Sequence, residues 1–369
     1  MKKSITIILL FVVFLITMNG CGKKEDVIKI GAIFPLTGDG QRIGNMKKEG
    51  ADLAVEKINE KGGIKGTKLV ILYEDSQNEP SKGISAFKKL SELDKVPVIM
   101  SAMSGVSMAL VPLAEEKKVV LFANVGHPAV TGQNDWVFRN FPTAEQEANI
   151  IAKFAFKKLG SLRAAILYPH DDWGLSGRDA FNTEFVAQGG LVAAEESYEK
   201  TNIDFKTQLT KIKAANPDIL YFTGFGNALG IIAKQTIEMG IKCQRLTTTG
   251  FNDKAIISLA GATAEDIYLT TSDFDPDINE SDISSFVTAF QKKYGRKPAF
   301  DEALQYDTVK LIAIAIERGG TTSVQIRREL SNITNYKGVC GMTSVTEKGD
   351  FITPIVLKKI FNGQVVVVD

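Results

Sequence analysis

Cysteine, histidine and tryptophan are all scarce in this chain. Its 369 residues include three cysteines, two histidines and two tryptophans. Cys243 and Cys340 lie far apart and have neither CxxC nor Cys/His spacing, so the sequence predicts no zinc site. A disulfide between them is chemically allowed outside the cytoplasm, but the spacing does not establish one. Two buried free thiols are the interpretation we prefer.

Neither sign of charge is in excess. The chain has 44 lysines and arginines against 43 acidic residues, which gives a formal net charge of +1. Such a near-neutral surface argues against nucleic acid as a partner. No low-complexity or proline-rich segment interrupts the chain, so two domains, if present, must be joined by short crossings.

The motifs of common nucleotide-binding and hydrolytic enzymes are missing. The glycines of GFGNALG, at 224, 226 and 230, do not have GxGxxG spacing, and GGIKGTK has the wrong spacing for a P-loop. There is no GxSxG elbow, and a triad of Ser104, His127 and an acid would be accidental. The sequence therefore predicts a protein that is not an enzyme and needs no cofactor or metal.

Residues 1–20 have the pattern of a secretory signal peptide. Two lysines precede an apolar run over residues 5–16, and Gly20 stands just before Cys21. The run is too short to span a membrane. A cysteine after the cleavage point resembles a bacterial lipoprotein signal, which implies that Cys21 is lipidated and holds a periplasmic or cell-surface protein to the membrane. The two residues before Gly20 differ from the favoured ones, and secretion with a free Cys21 is the alternative.

Short apolar runs alternate with amphipathic segments almost from end to end. The apolar runs typical of buried strands lie at 28–34, 69–73, 96–100, 119–123, 164–168, 219–222 and 267–271. Helical spacing recurs in two sets of apolar residues, namely Ile283, Phe286, Val287, Phe290 and Tyr294, and Val309, Ile312, Ala313 and Ile316. This alternation gives parallel sheets covered by helices on both faces, and the chain is long enough for two cores. We predict an α/β protein.

Polar, glycine and aromatic residues follow five of the predicted strands. The five segments are SAMSG, NVGHP, PHDDWG, TGFGN and TTTGFND. In open parallel sheets, ligands bind beyond the carboxyl ends of the strands, so these segments are candidate site loops. Ser104 lies where a helix should begin, and its hydroxyl with the amides of Gly105 and Val106 predicts an anion site. A helix cap that holds no ligand is the alternative.

Residues 30–80 read IGAIFPLTGDGQRIGNMKKEGADLAVEKINEKGGIKGTKLVILYEDSQNEP. This segment resembles the opening of solute-binding proteins of the leucine/isoleucine/valine-binding family, which serve ABC transporters. The resemblance continues through YPHDDWGLSGRDAF, PDILYFTGFGNALGIIAKQ and QYDTVKLIAIAI. It implies a type I periplasmic-binding fold, in which two doubly wound α/β lobes joined by three crossings close on a small ligand. By analogy, 27–145 and 273–342 form the first lobe, and 146–272 and 343–369 the second.

The resemblance also implies partners and a ligand site. We expect a monomer that delivers its ligand to ABC permease subunits; a sensory module that presents the ligand to a receptor is the alternative. Ser104 and His127 would hold a carboxylate, and the Val125 carbonyl would accept from an ammonium, with Ala102 beside them. Trp173 and Phe225 of the second lobe would cover the ligand, although aromatic residues after a strand also belong to lobe cores.

Two positions depart from the pattern of the family. Thr249 stands where an acid neutralises the ligand's ammonium, and Ile43 stands where an aromatic residue lies. A buried ammonium without a counter-charge costs roughly 3 to 5 kcal/mol. Either the ligand has no amine, or another carboxylate supplies the charge, for which the candidates are Asp253, Asp273 and Glu302.

His127 favours a ligand without an amine, because a ring N–H can donate to a carboxylate without demanding a zwitterion. A structural histidine bonded to the backbone beside Pro128 is the alternative, and His170 is expected to be a loop residue. The predicted ligand is a small carboxylate, either an amino acid or an amine-free organic or aromatic acid.

Overall fold

The computed structural model describes residues 26–38, 40–199 and 201–368. The predicted signal segment 1–20 and the predicted lipidation site at Cys21 lie outside the described residues. Within the described ranges, no helix is long and apolar enough to cross a membrane.

A five-stranded parallel sheet forms the first lobe, with strand order β2-β1-β3-β4-β5. Its strands are β1 (Val27–Phe34), β2 (Lys68–Asp75), β3 (Val98–Ser101), β4 (Val120–Ala123) and β5 (Val137–Arg139). The intervening helices are α1 (Gln41–Glu60), α2 (Pro80–Lys88) and α3 (Ser104–Lys117). Central strands such as β3 and β4 are buried at every position and apolar except at Ser101, as expected for a parallel sheet covered on both faces.

A seven-stranded sheet forms the second lobe, with strand order β15-β14-β10-β9-β8-β6-β7. Its parallel strands are β6 (Arg163–Pro169), β7 (Leu191–Tyr198), β8 (Ile219–Phe222), β9 (Gln244–Thr247) and β10 (Tyr268–Ser272). An antiparallel hairpin extends one edge, with β14 (Ile355–Phe361) and β15 (Gln364–Val367). The helices are α4 (Ala144–Lys157), α5 (Asp172–Ala187), α6 (Lys206–Ala214), α7 (Asn227–Glu238) and α8 (Lys254–Ala260).

Alternate residues of β8 enter separate hydrophobic clusters, which shows that the second sheet is covered on both faces. Leu220 and Phe222 pack in one cluster, whereas Ile219 and Tyr221 pack in the other.

The chain returns to the first lobe after β10. Three helices follow, α9 (Ser281–Tyr294), α10 (Phe300–Gly319) and α11 (Ser323–Leu330), and then a small antiparallel sheet of β11 (Tyr336–Gly338), β12 (Gly341–Val345) and β13 (Phe351–Ile352). Helices α10 and α11 pack into the core of the first sheet, and α9 packs against α1. The lobes are therefore joined by three crossings, at residues 140–143, 273–280 and 353–354.

The third crossing comes later than the family resemblance implied. The analogy places residues 343–352 on the second lobe, whereas in the structure they lie on the first. Phe351 stacks on Phe122 of β4 with ring centroids 5.5 Å apart, and Asp350 Oδ1 accepts from Arg139 Nε at 2.8 Å. An apolar contact and an ion pair thus fix this segment to the first sheet.

The predicted α/β class is confirmed, and each of the seven predicted apolar runs contains most of a strand. The apolar runs missed the short strands β5 and β9, the edge strand β7 and the five strands after α11. Both described cysteines are free thiols, with Cys340 buried and Cys243 half-buried.

Candidate functional site

The candidate site lies between the carboxyl ends of the parallel strands of the two sheets. The loops after β3 and β4 are neighbours because Ser101 pairs with Ala123, and the Asn124 N–H donates to the Ser101 carbonyl at 3.0 Å. On the facing lobe, β6, β8 and β9 are adjacent, so the loops after these strands also lie side by side.

Ser104 is the first residue of α3, as the sequence predicted. The residue before it, Met103, adopts a left-handed φ of +68° and provides no side-chain cap. The Ser104 hydroxyl has no hydrogen-bond partner among the described residues, and the helix leaves the amides of Gly105 and Val106 without intrahelical acceptors. A hydroxyl and free amides at a helix N-terminus form a suitable site for an anion.

His127 has the backbone partner beside Pro128 that the alternative interpretation expected, and a second partner on the other lobe that the sequence did not suggest. Its Nδ1 accepts from the Ala129 N–H at 3.2 Å, which leaves the proton on Nε2. That N–H donates to Oδ2 of Asp172, on the second lobe, at 2.6 Å. Both ring nitrogens are thus engaged, one with local backbone and one across the cleft, so His127 joins the lobes in this conformation.

Trp173 also bridges the two lobes. Its indole N–H donates to the Thr223 hydroxyl at 3.2 Å, which fixes the ring to its own lobe. Its other edge lies directly on the backbone of Gly126, where a Cβ would overlap the ring. Phe225 lies beside it with ring centroids 5.1 Å apart and is 49% exposed. The two predicted aromatic residues therefore lie together at the mouth of the cleft.

Three of the remaining predicted site residues lie at the same strand ends, and the fourth lies on a helix. Ala102 and Val125 are buried in the loops after β3 and β4, and Thr249 is buried directly after β9. Ile43 is half-buried in the first turn of α1.

The three acids proposed as alternative counter-charges are engaged or exposed elsewhere. Asp253 pairs with Arg42 across the lobes at 2.5 Å, and Glu302 pairs with Arg296 at 2.7 Å within the first lobe. Asp273 is exposed in the second crossing. Two of the three carboxylates are thus already paired with cations of the protein itself.

Glu147, on α4, is the acid that sequence reasoning missed. Its Oε1 accepts from the backbone N–H of Thr249 at 3.1 Å, and its Oε2 has no hydrogen-bond partner among the described residues. Burial raises the pKa of this carboxyl to about 8, against the opposing effects of the Thr249 N–H and the nearby Thr270 hydroxyl. The available signal was its position on the apolar stripe of α4, between Ala144 and Ile151.

The fold and the cleft together define a two-lobed binding protein, with polar groups of one lobe facing aromatic residues of the other. A family model described as periplasmic binding protein matches residues 27–364, so this chain belongs to that family. It is accordingly an extracytoplasmic solute-binding receptor.

Related proteins cover almost the whole chain. The Leu/Ile/Val-binding protein homolog 3 of Brucella melitensis is 27% identical over 352 residues, which span 93% of this chain and 94% of that protein. The leucine-binding protein LivK of Thermotoga maritima has a TM-score of 0.84 and 28% identity, covering 93% of this chain and 98% of its own. LivJ of Streptococcus pneumoniae, a branched-chain amino acid transporter substrate binding protein in complex with isoleucine, has a TM-score of 0.83 and 27% identity, covering 93% and 99%. The predicted type I periplasmic-binding fold is confirmed.

Proposed function

We propose that this protein captures a small carboxylate-bearing solute, foremost an amino acid with an apolar side chain, and presents it to an ABC permease without transforming it chemically. The observation that carries the proposal is the free hydroxyl and amides at the start of α3, at the same edge as the loop that Trp173 covers. In this proposal Ser104 binds the carboxylate, and Ala102, Val125, Thr249 and Ile43 line the cleft.

Closure supplies the remaining affinity. Trp173 and Phe225 cover the apolar part of the solute and exclude water, while the hydrogen bonds to the carboxylate strengthen in the dry cleft. The relatives named for leucine, isoleucine and valine support an amino acid as the first candidate.

Calorimetric titration with leucine, isoleucine, benzoate and 4-methylpentanoate tests the proposal. At least one of these carboxylates should bind near micromolar, and Ser104→Ala should weaken that ligand about tenfold, because a hydrogen bond to a charged group contributes about 1.5 kcal/mol or more. Thermal unfolding should show the same ranking, since a ligand at 100 times its Kd stabilises by roughly 2.7 kcal/mol. Binding of none of the four would contradict the proposed function.

His127→Ala is expected to have a small effect on leucine binding. The partner, Asp172, is 68% exposed, and because even a full ion pair at an exposed site contributes only about 0 to 1 kcal/mol, the loss should be at most about fivefold. Calorimetry on His127→Ala, Asp172→Ala and the double variant measures it, and the double variant should lose no more than the larger single loss. A loss of about 10- to 150-fold confined to His127→Ala would instead assign it a direct bond to the ligand.

We also propose that the mature protein is anchored through lipid on Cys21. Cys21→Ser should then move the protein from the membrane fraction to the soluble fraction, because acyl chains provide the attachment. Fractionation of the expressing bacterium with immunodetection measures the shift, and Cys243→Ser is the matched control that should stay with the membrane. A Cys21→Ser variant that remains in the membrane fraction would contradict the anchor.

A further inference from the structure

Glu147 differs from the other buried acids of this protein. Among the described residues, three carboxyl groups are buried, those of Glu147, Glu302 and Asp307. Glu302 pairs with Arg296, and Asp307 accepts two backbone N–H groups, one on each oxygen. Glu147 has one backbone donor and no cation, so half of its carboxyl group is without a partner. Burying an unpaired carboxylate is costly, and such a group calls for an explanation.

Other unpaired groups share this interior. The hydroxyls of Tyr221 on β8 and Thr270 on β10 are buried and make no hydrogen bond in the described structure. Each is electrostatically linked to Glu147: the Thr270 hydroxyl lowers the pKa of the Glu147 carboxyl, and that carboxyl, after burial, helps raise the pKa of the Tyr221 phenol. In the described ranges, the Tyr221 phenol is the titratable group that interacts with the Glu147 carboxyl. It is neutral at pH 7.

This polar cluster connects directly to the cleft. The Thr249 N–H that donates to Glu147 belongs to the loop directly after β9, so a group that contacts Thr249 from the cleft is one peptide unit away from the carboxyl. Tyr221 lies two residues before Thr223, whose hydroxyl accepts from the Trp173 indole. The Glu147 carboxyl therefore lies beneath the second-lobe residues that line the cleft, at the edge of the second sheet that faces the first lobe.

We propose that the Glu147 carboxylate is the counter-charge for an ammonium group that the ligand places at Thr249, and that it loses its proton to solvent when such a ligand binds. The inference rests on the proposed function and adds the ligand class, a zwitterionic amino acid. An ammonium brought into a closed cleft without an opposite charge is strongly destabilised. A neutral carboxyl costs little in the empty protein, and a cation nearby favours its ionised form, so protonation and ligand binding are coupled.

Proton release is the measurement that tests the inference. Titration of leucine at pH 7 in phosphate and in Tris, which differ in ionisation enthalpy, gives the number of protons released for each ligand bound. We expect close to one proton for leucine and none for 4-methylpentanoate, which has no amine. Glu147→Gln should release none and should weaken leucine roughly 10- to 100-fold, because the amide retains the bond to Thr249 but carries no charge.

Glu145→Gln is the matched control, since Glu145 is an exposed acid in the same turn of α4. It should bind leucine with unchanged affinity and release the same number of protons as the wild type. Wild type that binds leucine without proton release, Glu147→Gln that still releases a proton, or binding of amine-free acids alone would each overturn the inference while leaving the proposed function intact. Failure of all four carboxylates to bind would overturn both.

Discussion

Gly126→Val is expected to abolish tight ligand binding while both lobes stay folded. In the closed arrangement the Trp173 ring lies on the Gly126 backbone, and a Cβ at this position would overlap two of its ring carbons. The φ of Gly126 is not in the left-handed region, so a side chain causes no backbone strain of its own. Overpacking costs about 3 kcal/mol at its upper range, which corresponds to a loss of roughly 150-fold in affinity.

The steric cause can be separated from a general effect on the loop by removing the ring. In a Trp173→Ala background the extra side chain has room, so Gly126→Val should cost little beyond the loss due to Trp173→Ala alone. Calorimetry gives the four affinities, and thermal unfolding of the ligand-free variants checks the fold. Equal losses in the two backgrounds would show that the overlap with Trp173 is not what prevents closure.

The buried strands could be predicted from sequence because parallel strands covered on both faces are continuous apolar runs. The run 219–222 coincides with β8. The edge strand β7, LVAAEESY, is half-exposed and carries two glutamates, so it forms no such run. The strands β11 and β13 have three and two residues, too few for any periodicity to be visible. Edge position therefore explains why β7 was missed, and short length explains β11 and β13.

The site was predictable to the extent that it depends on strand ends. Ser104 and Trp173 each follow an apolar strand, and both lie where that pattern places them. The partner of His127 could not be found in this way, because Asp172 lies 45 residues further along the chain and on the other lobe. Only the closed arrangement of the lobes brings the two side chains together.

Glu147 was visible in the sequence but could not be interpreted from it. An acid on the apolar stripe of a helix must be paired, neutral or functional, and a helical pattern does not separate these cases. Which of these cases applies to Glu147 depends on the environment that β9 and β10 provide, namely a backbone N–H and an unpaired hydroxyl beside its carboxyl. Those strands come about a hundred residues later in the chain, as the separation of 102 between Glu147 and Thr249 shows.

The third crossing gives the other prediction of large effect, Phe351→Ala. Phe351 is buried in the core of the first lobe, stacked on Phe122 and 6.4 Å from the ring of Phe138. Removing a buried phenylalanine costs about 3 to 5 kcal/mol through lost burial and the cavity that remains. The free energy of unfolding of the first lobe should fall by that amount, measured by urea denaturation.

The two tryptophans allow the loss of unfolding free energy in Phe351→Ala to be assigned to one lobe. Trp136 is buried in the first-lobe core and Trp173 lies on the second, so Trp173→Phe leaves a reporter of the first lobe and Trp136→Phe leaves one of the second. Phe351→Ala should shift the Trp136 transition far more than the Trp173 transition. The neighbouring Ile352→Ala is the control, because Ile352 is 47% exposed and its loss should stay within about 0.5 kcal/mol. A side chain stabilises chiefly the core in which it is packed. A larger shift of the unfolding transition reported by Trp173 would therefore show that residues 343–352 belong to the second lobe.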